Sequence, residues 1–129
     1  MGRGWKVMKA TSKIERVEKP WGYELIWAKT AKYAAKILHL DKGKRLSYQY
    51  HRQKDEAMFV ASGKLLIELE GEGEGKTTSY LNAGECLHIP ALTRHRIMAI
   101  EDSDIFEVST PELDDVVRLD DDYGRMQKS

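Results

Sequence analysis

Cysteine is nearly absent. Cys86 is the single one in 129 residues, so no disulfide can form within the chain. A chain of this length must then be held by burial, and it is long enough to build one hydrophobic core. A lone thiol suits a reducing, cytoplasmic setting. Long apolar runs are missing too. None approaches the roughly 20 residues that cross a bilayer, so no membrane partner is expected. The basic start, Met1 to Lys9, lacks the apolar stretch of a signal peptide. Neither sign of charge prevails, with 21 basic and 21 acidic side chains, so bulk electrostatics gives no reason to expect a nucleic-acid partner. There is no internal repeat, and the only biased stretch is Gly71-Glu-Gly-Glu-Gly75.

What the chain has instead is short alternating segments between turns. Tyr23 to Trp27 alternates bulky and polar residues with period two, the pattern of a half-buried strand. Pro20-Trp21-Gly22, Asp41-Lys42-Gly43, Ser62-Gly63-Lys64 and Asn82-Ala83-Gly84 read as turns. Further strands are expected over 45–51, 56–61, 64–70, 77–81, 86–89, 95–100 and 105–109. Turn signals every eight to twelve residues or so, with no convincing helix between them, predict an all-β fold, a small antiparallel sandwich or barrel. After Thr110-Pro111, the spacing of Leu113, Val116, Val117 and Asp120 predicts a short helical C-terminal tail. Residues 1–13 read as a loose N-terminal arm and 14–125 as one domain.

One stretch concentrates groups that can do chemistry. Gln49, His51 and Glu56 lie within eight residues, and His95 follows downstream. Imidazole nitrogen suits zinc, iron, nickel or cobalt, and carboxylate or amide oxygen widens the choice to manganese. Strand parity puts Ser47, Gln49 and His51 on one face and Leu46, Tyr48 and Tyr50 on the other. A polar face turned inward wants a ligand, an ion or water, because unpaired buried polar groups are costly. The same residues would also fit the solvated end of a hairpin. The face with Leu46, Tyr48 and Tyr50, if outward, is an apolar patch that a second subunit could cover, and a homodimer is expected on that ground. Cys86 and His88 share a strand face, and the simpler reading is a buried thiol beside a hydrogen-bonded histidine.

The motifs carry a family resemblance. Gly43-x5-Gln49-x-His51-x4-Glu56-x6-Gly63 resembles the first cupin motif, and Gly84-x5-Pro90-x4-His95 the second. Gln49 stands where most cupins have histidine. In this the chain is similar to type II phosphomannose isomerases and the C-terminal domains of bifunctional isomerase/guanylyltransferases. Pro20-Trp21-Gly22, Leu46-Ser47-x-Gln49, Ile89-Pro90 and the ending Asp114-Asp115-Val-Val-Arg118 to Tyr123-Gly124-Arg125 agree with that subgroup. The resemblance covers roughly residues 17–125. It departs after His51, where Arg52, Gln53 and Ala57 stand at places the family often fills with histidine.

The resemblance implies a cupin barrel with one divalent metal ion (Zn, Mn, Fe, Ni or Co) held by Gln49, His51, Glu56 and His95. It implies a sugar or sugar phosphate as the small-molecule partner, and interconversion of mannose 6-phosphate and fructose 6-phosphate or a related aldose–ketose pair. Arg125 is implied for phosphate or proton-transfer chemistry. Lys54, Glu56 and Glu107 are further candidates for the proton carrier, and Arg45, Lys54, Arg94 and Arg125 could each meet a phosphate or stand as a solvated charge. A non-enzymatic sugar- or small-ligand-binding cupin and an iron-dependent cupin dioxygenase are the competing readings.

Overall fold

The computed structural model describes residues 13–126. The N-terminal arm expected over 1–13 falls outside them, apart from Lys13. Eleven strands follow in chain order: β1 (Glu15–Lys19), β2 (Gly22–Lys29), β3 (Ala34–Leu40), β4 (Tyr48–Tyr50), β5 (Glu56–Ser62), β6 (Lys64–Glu70), β7 (Thr77–Asn82), β8 (Cys86–Ile89), β9 (Arg94–Ala99), β10 (Ser103–Ser109) and β11 (Val117–Asp120). All pairings are antiparallel, in a six-stranded sheet of order β1-β2-β3-β10-β5-β8 and a five-stranded sheet of order β11-β4-β9-β6-β7. The expected all-β class is the one found. Among the described residues no helix is long and apolar enough to cross a membrane.

The two sheets share one core. Leu38, Leu40, Met58, Val60, Ile89 and Ile105 of the first pack with Leu65, Ile67, Ile97 and Ala99 of the second. Fully burying each large aliphatic side chain stabilises by about 1.5–3 kcal/mol. The inner positions are graded along the strands. β3 runs Lys36, Leu38, Leu40; β5 runs Glu56, Met58, Val60; β9 runs His95, Ile97, Ala99; all nine are buried. β10 runs the other way, and its register sets Glu107 opposite Lys36 and Ile105 opposite Leu38. One end of the space between the sheets is therefore aliphatic and the other is charged.

Three expectations change here. The C-terminal tail is not helical: residues 113–114 form a turn and β11 is an edge strand on β4. Three apolar positions, Leu113, Val116 and Val117, with Asp120 one turn on, match a helical stripe and a turn followed by a strand equally well. The β-branched Val116-Val117 and a free edge on β4 favour the strand. The strand expected over 45–51 shortens to β4, with a single bridge from Arg45 to Met98 before it. Cys86 is exposed rather than buried, because it lies on the outer face of the edge strand β8. Its neighbour His88 is also exposed and bonds Asp55 at 2.8 Å.

Candidate metal centre

β4 and β9 meet at one register pair, Gln49 opposite His95, so both side chains project from the same face of the sheet. His51 follows β4 with the parity of Gln49, and Glu56 opens β5 on the facing sheet. Gln49, His51, Glu56 and His95 all line one cavity of about 400 Å³. His51, Glu56 and His95 are each buried, and one ligand atom of each lies within 4.8 Å of the others. Glu56 Oε1 stands 3.5 Å from His51 Nε2 and 3.4 Å from His95 Nε2.

The other ring nitrogens decide what those atoms are. His51 Nδ1 lies 2.5 Å from the carbonyl oxygen of Asp115, and His95 Nδ1 lies 2.9 Å from that of Thr93. A carbonyl can only accept, so each Nδ1 carries a proton and donates it. In neutral imidazoles that leaves both Nε2 lone pairs aimed at a carboxylate oxygen. Three lone-pair donors converging on one point repel unless a proton or a cation sits among them. Metal–ligand bonds of about 2.1 Å at octahedral to tetrahedral angles hold donors about 3.0–3.4 Å apart, close to the 3.5 and 3.4 Å between Glu56 and the two imidazoles. The backbone carbonyls act as the supporting shell that orients metal-ligating histidines. Gln49 adds an amide whose Nε2 points back to the Ser47 carbonyl at 3.4 Å, leaving Oε1 as its free acceptor. The donor set fits a divalent ion.

A ladder of alternating charge extends from this cluster. Lys54 Nζ lies 3.0 Å from Glu56 and 3.3 Å from Glu107; Lys36 Nζ lies 4.0 Å from Glu107 and 3.4 Å from Glu24; Lys19 Nζ lies 3.9 Å from Glu24. Burial works against the charged form of Lys54, but Glu107 and Glu56 outweigh it and push its pKa above the ordinary lysine range. Burial likewise opposes ionisation of Glu56, and hydrogen bonds from His51 and His95, which need a proton on Nε2, together with the charge of Lys54 overcome it, holding its carboxyl well below the usual value. Glu107 goes the other way: burial and the charge of Glu56 raise it to about 7 against the pull of Lys54 and Lys36. Lys36 and Glu24 escaped notice in the sequence. Their signal was parity, a charged residue at the buried position of an otherwise apolar alternation.

The remaining candidates divide. Arg125 lines the cavity, and its guanidinium forks onto Asp121 with two contacts of 3.0 Å. Arg45 is turned away to Asp122, which it meets at 2.6 and 2.8 Å. Arg94 lies over the Tyr50 ring at 6.0 Å. The face of Tyr48 and Tyr50 is not the bare apolar patch expected: Tyr48 donates its hydroxyl to Glu70, Lys76 lies over its ring, and Leu46 packs on the core. Asp115 does more than its place in a tail motif suggested. Besides holding His51, its carboxylate accepts from the amides of Arg52 (3.0 Å), Gln53 (2.6 Å) and Lys54 (2.9 Å), fixing the loop between His51 and Glu56.

Known proteins share this fold. The fold is similar to that of KdgF from Halomonas sp. (TM-score 0.68, 26% identity, covering 80% of this chain and 91% of that one). It is also similar to the capsular polysaccharide assembling protein CapF from Staphylococcus aureus (TM-score 0.70, 19% identity, 85% and 35%) and to oxalate decarboxylase from Bacillus subtilis (TM-score 0.72, 15% identity, 82% and 30%), two likenesses that bear on the fold alone. The cupin barrel implied by the two motifs is the fold found. In sequence the chain is 33% identical over 119 residues to mannose-1-phosphate guanylyltransferase ManC of Salmonella typhimurium (strain LT2), covering 85% of this chain. It spans 23% of that relative's length. Residues 6–121 match the family described as mannose-6-phosphate isomerase, C-terminal. That match takes in all eleven strands and the four side chains around the cluster, and by it the chain belongs to the mannose-6-phosphate isomerase C-terminal family.

Proposed function

We propose that this chain is a metal-dependent isomerase of aldose and ketose phosphates, acting on mannose 6-phosphate and fructose 6-phosphate or a related pair. The observation that carries the reading is the convergence of His51 Nε2, His95 Nε2 and Glu56 Oε1, with both Nδ1 protons committed to carbonyls. Gln49, His51, Glu56 and His95 would hold the ion. A bound divalent ion supplies polarisation of adjacent carbonyl and hydroxyl oxygens.

The chain's own groups supply the rest. Isomerisation moves a proton between neighbouring carbons, so a carboxyl free of the ion is needed beside it. Glu107 is that group: it lines the cavity and is joined to Glu56 through Lys54. Lys54, held protonated, keeps the two carboxylates apart and in place. Arg125, tied to Asp121, closes one wall. The buried aliphatic floor of Leu38, Met58 and Ile97 excludes water from one side of the sugar. A cytoplasmic setting keeps the exposed Cys86 reduced.

Two measurements test this. Purified protein should interconvert mannose 6-phosphate and fructose 6-phosphate with added divalent ions, and elemental analysis should find about one ion per chain, lost in His51→Ala. No turnover on any of a panel of aldose phosphates would refute the isomerase, and equal low metal in both proteins would refute the centre. Glu107→Gln should lower kcat by about 100-fold or more with metal content unchanged. A kcat within a few-fold of the wild type would remove Glu107 from the chemistry.

A further inference from the structure

Among the described residues, two buried side-chain polar atoms have no hydrogen-bond partner, Ser47 Oγ and Arg118 Nε. Both residues line the cavity of the His-Glu-His cluster. An unpaired buried donor is costly, and finding both in one cavity marks a wall that a ligand completes. Their places are fixed by register. Arg118 of β11 stands opposite Gln49 of β4, which stands opposite His95 of β9, so the three form one row across the inner face of the sheet. Ser47, fully buried, lies two residues before Gln49 on the same segment. It is a diagonal neighbour of Arg118, at roughly 8 Å between Cα atoms.

Leaving aside Lys29, which is exposed, Arg118 also stands apart from the other cations of the cavity. Lys19 and Lys36 have Glu24, Lys54 has Glu56 and Glu107, and Arg125 has Asp121. Arg118 has no carboxylate within ion-pair distance among the described residues. Burial and the charge of Arg125 lower its pKa, and Asp121 only partly opposes them.

We propose that Arg118 is the anion-binding residue of the cavity: its guanidinium takes the terminal phosphate or carboxylate of a small polyol whose hydroxyl completes Ser47 Oγ. Arg125 is then a positioning residue that occupies Asp121 and so keeps Arg118 free. This deepens the isomerase reading by naming the anchor of its substrate, but it requires only that the cavity binds an anion.

Isothermal titration calorimetry of the full chain, as purified and after chelation, tests it with glycerol 1-phosphate, glycerate, inorganic phosphate and glycerol. The chelated protein should still bind at least one of the anions and not glycerol, with preference for phosphate or carboxylate identifying the anionic group. Arg118→Gln should weaken that binding tenfold or more, Arg118→Lys should restore part of it, and Arg125→Gln should weaken it less. Ser47→Ala should weaken glycerol 1-phosphate and leave inorganic phosphate unchanged. Melting temperatures check folding, and Arg118→Lys carries the test if Arg118→Gln does not fold. Unchanged binding in a folded Arg118 variant, a larger loss in Arg125→Gln, or no anion bound by the wild type would overturn the proposal. Binding without turnover would instead count against the isomerase and leave the anion site standing.

Discussion

His51 faces Glu56 because its other ring nitrogen is occupied by the Asp115 carbonyl, and the loop that follows His51 stays in place because the Asp115 carboxylate accepts three of its amides. Burial pushes that carboxyl up, but the amides of Gln53, Lys54 and Arg52 outweigh it and hold the pKa below the ordinary carboxyl value. A carboxyl with a depressed folded pKa contributes stability above its unfolded value and loses it as pH falls through the folded one. Asp115→Asn should therefore cost about 1 kcal/mol at pH 7, and the difference from the wild type should close as pH falls below the ordinary carboxyl range and through the lower folded value. Urea unfolding at several pH values measures it; a cost independent of pH would show that the charge does not matter. At this scale the sequence is legible where the information is local. Period-two parity suffices to turn Gln49 and His51 inward, and four residues of loop bring Glu56 back. It is silent where a partner is a backbone carbonyl 64 residues away, as for His51 and Asp115, because nothing in a residue's type marks its carbonyl for that use.

The strands depend on two kinds of turn glycine. At Gly22, which follows the Pro20-Trp21 turn, a Cβ would lie 1.9 Å from the His39 carbonyl oxygen, and φ is +150°. At Gly43 φ is +83°, yet nothing lies within 4 Å of the added atom. Both read as equivalent turn residues in the sequence, since both follow turn formers, and only the paired strand β3 tells them apart. Gly43→Ala should cost about 1–2 kcal/mol, the backbone penalty alone. Gly22→Ala must also displace β3 from β2, and a loss above about 3 kcal/mol is expected. Denaturant unfolding of the two variants gives the comparison, and equal losses would contradict the close approach. The same limit explains the tail. The spacing of Leu113, Val116, Val117 and Asp120 does not reveal that β4 offers an unpaired edge, and it is that edge that makes Val117–Asp120 a strand.

At the scale of the whole molecule, the outer face of the six-stranded sheet carries a group of exposed apolar side chains. Phe106 pairs with Ile37 on one side and Phe59 on the other, and the two phenylalanine rings stack at 6.2 Å. Trp27 (54% exposed), Phe59 (42%), Phe106 (47%) and Val108 (54%) remain open to solvent. The homodimer expected from the tyrosine face is predicted here instead, with a two-fold axis setting the same patch of two copies face to face. Sedimentation velocity at micromolar concentration should give the mass of two chains for the wild type and of one for Phe106→Lys. A monomeric wild type would dismiss the patch as an interface.

The grading of the inner rows has a consequence for how such a chain can change. Leu40, Val60, Ala99 and Ile105 sit at the aliphatic end, away from the cavity lining, whereas Lys36, Glu56, His95 and Glu107 sit at the charged end and line it. Because the folding free energy comes mainly from the first group, the second can be exchanged with little debt to the first. A barrel divided this way separates the residues that make it durable from those that make it useful, so new chemistry can be tried at one end while the other keeps the chain folded.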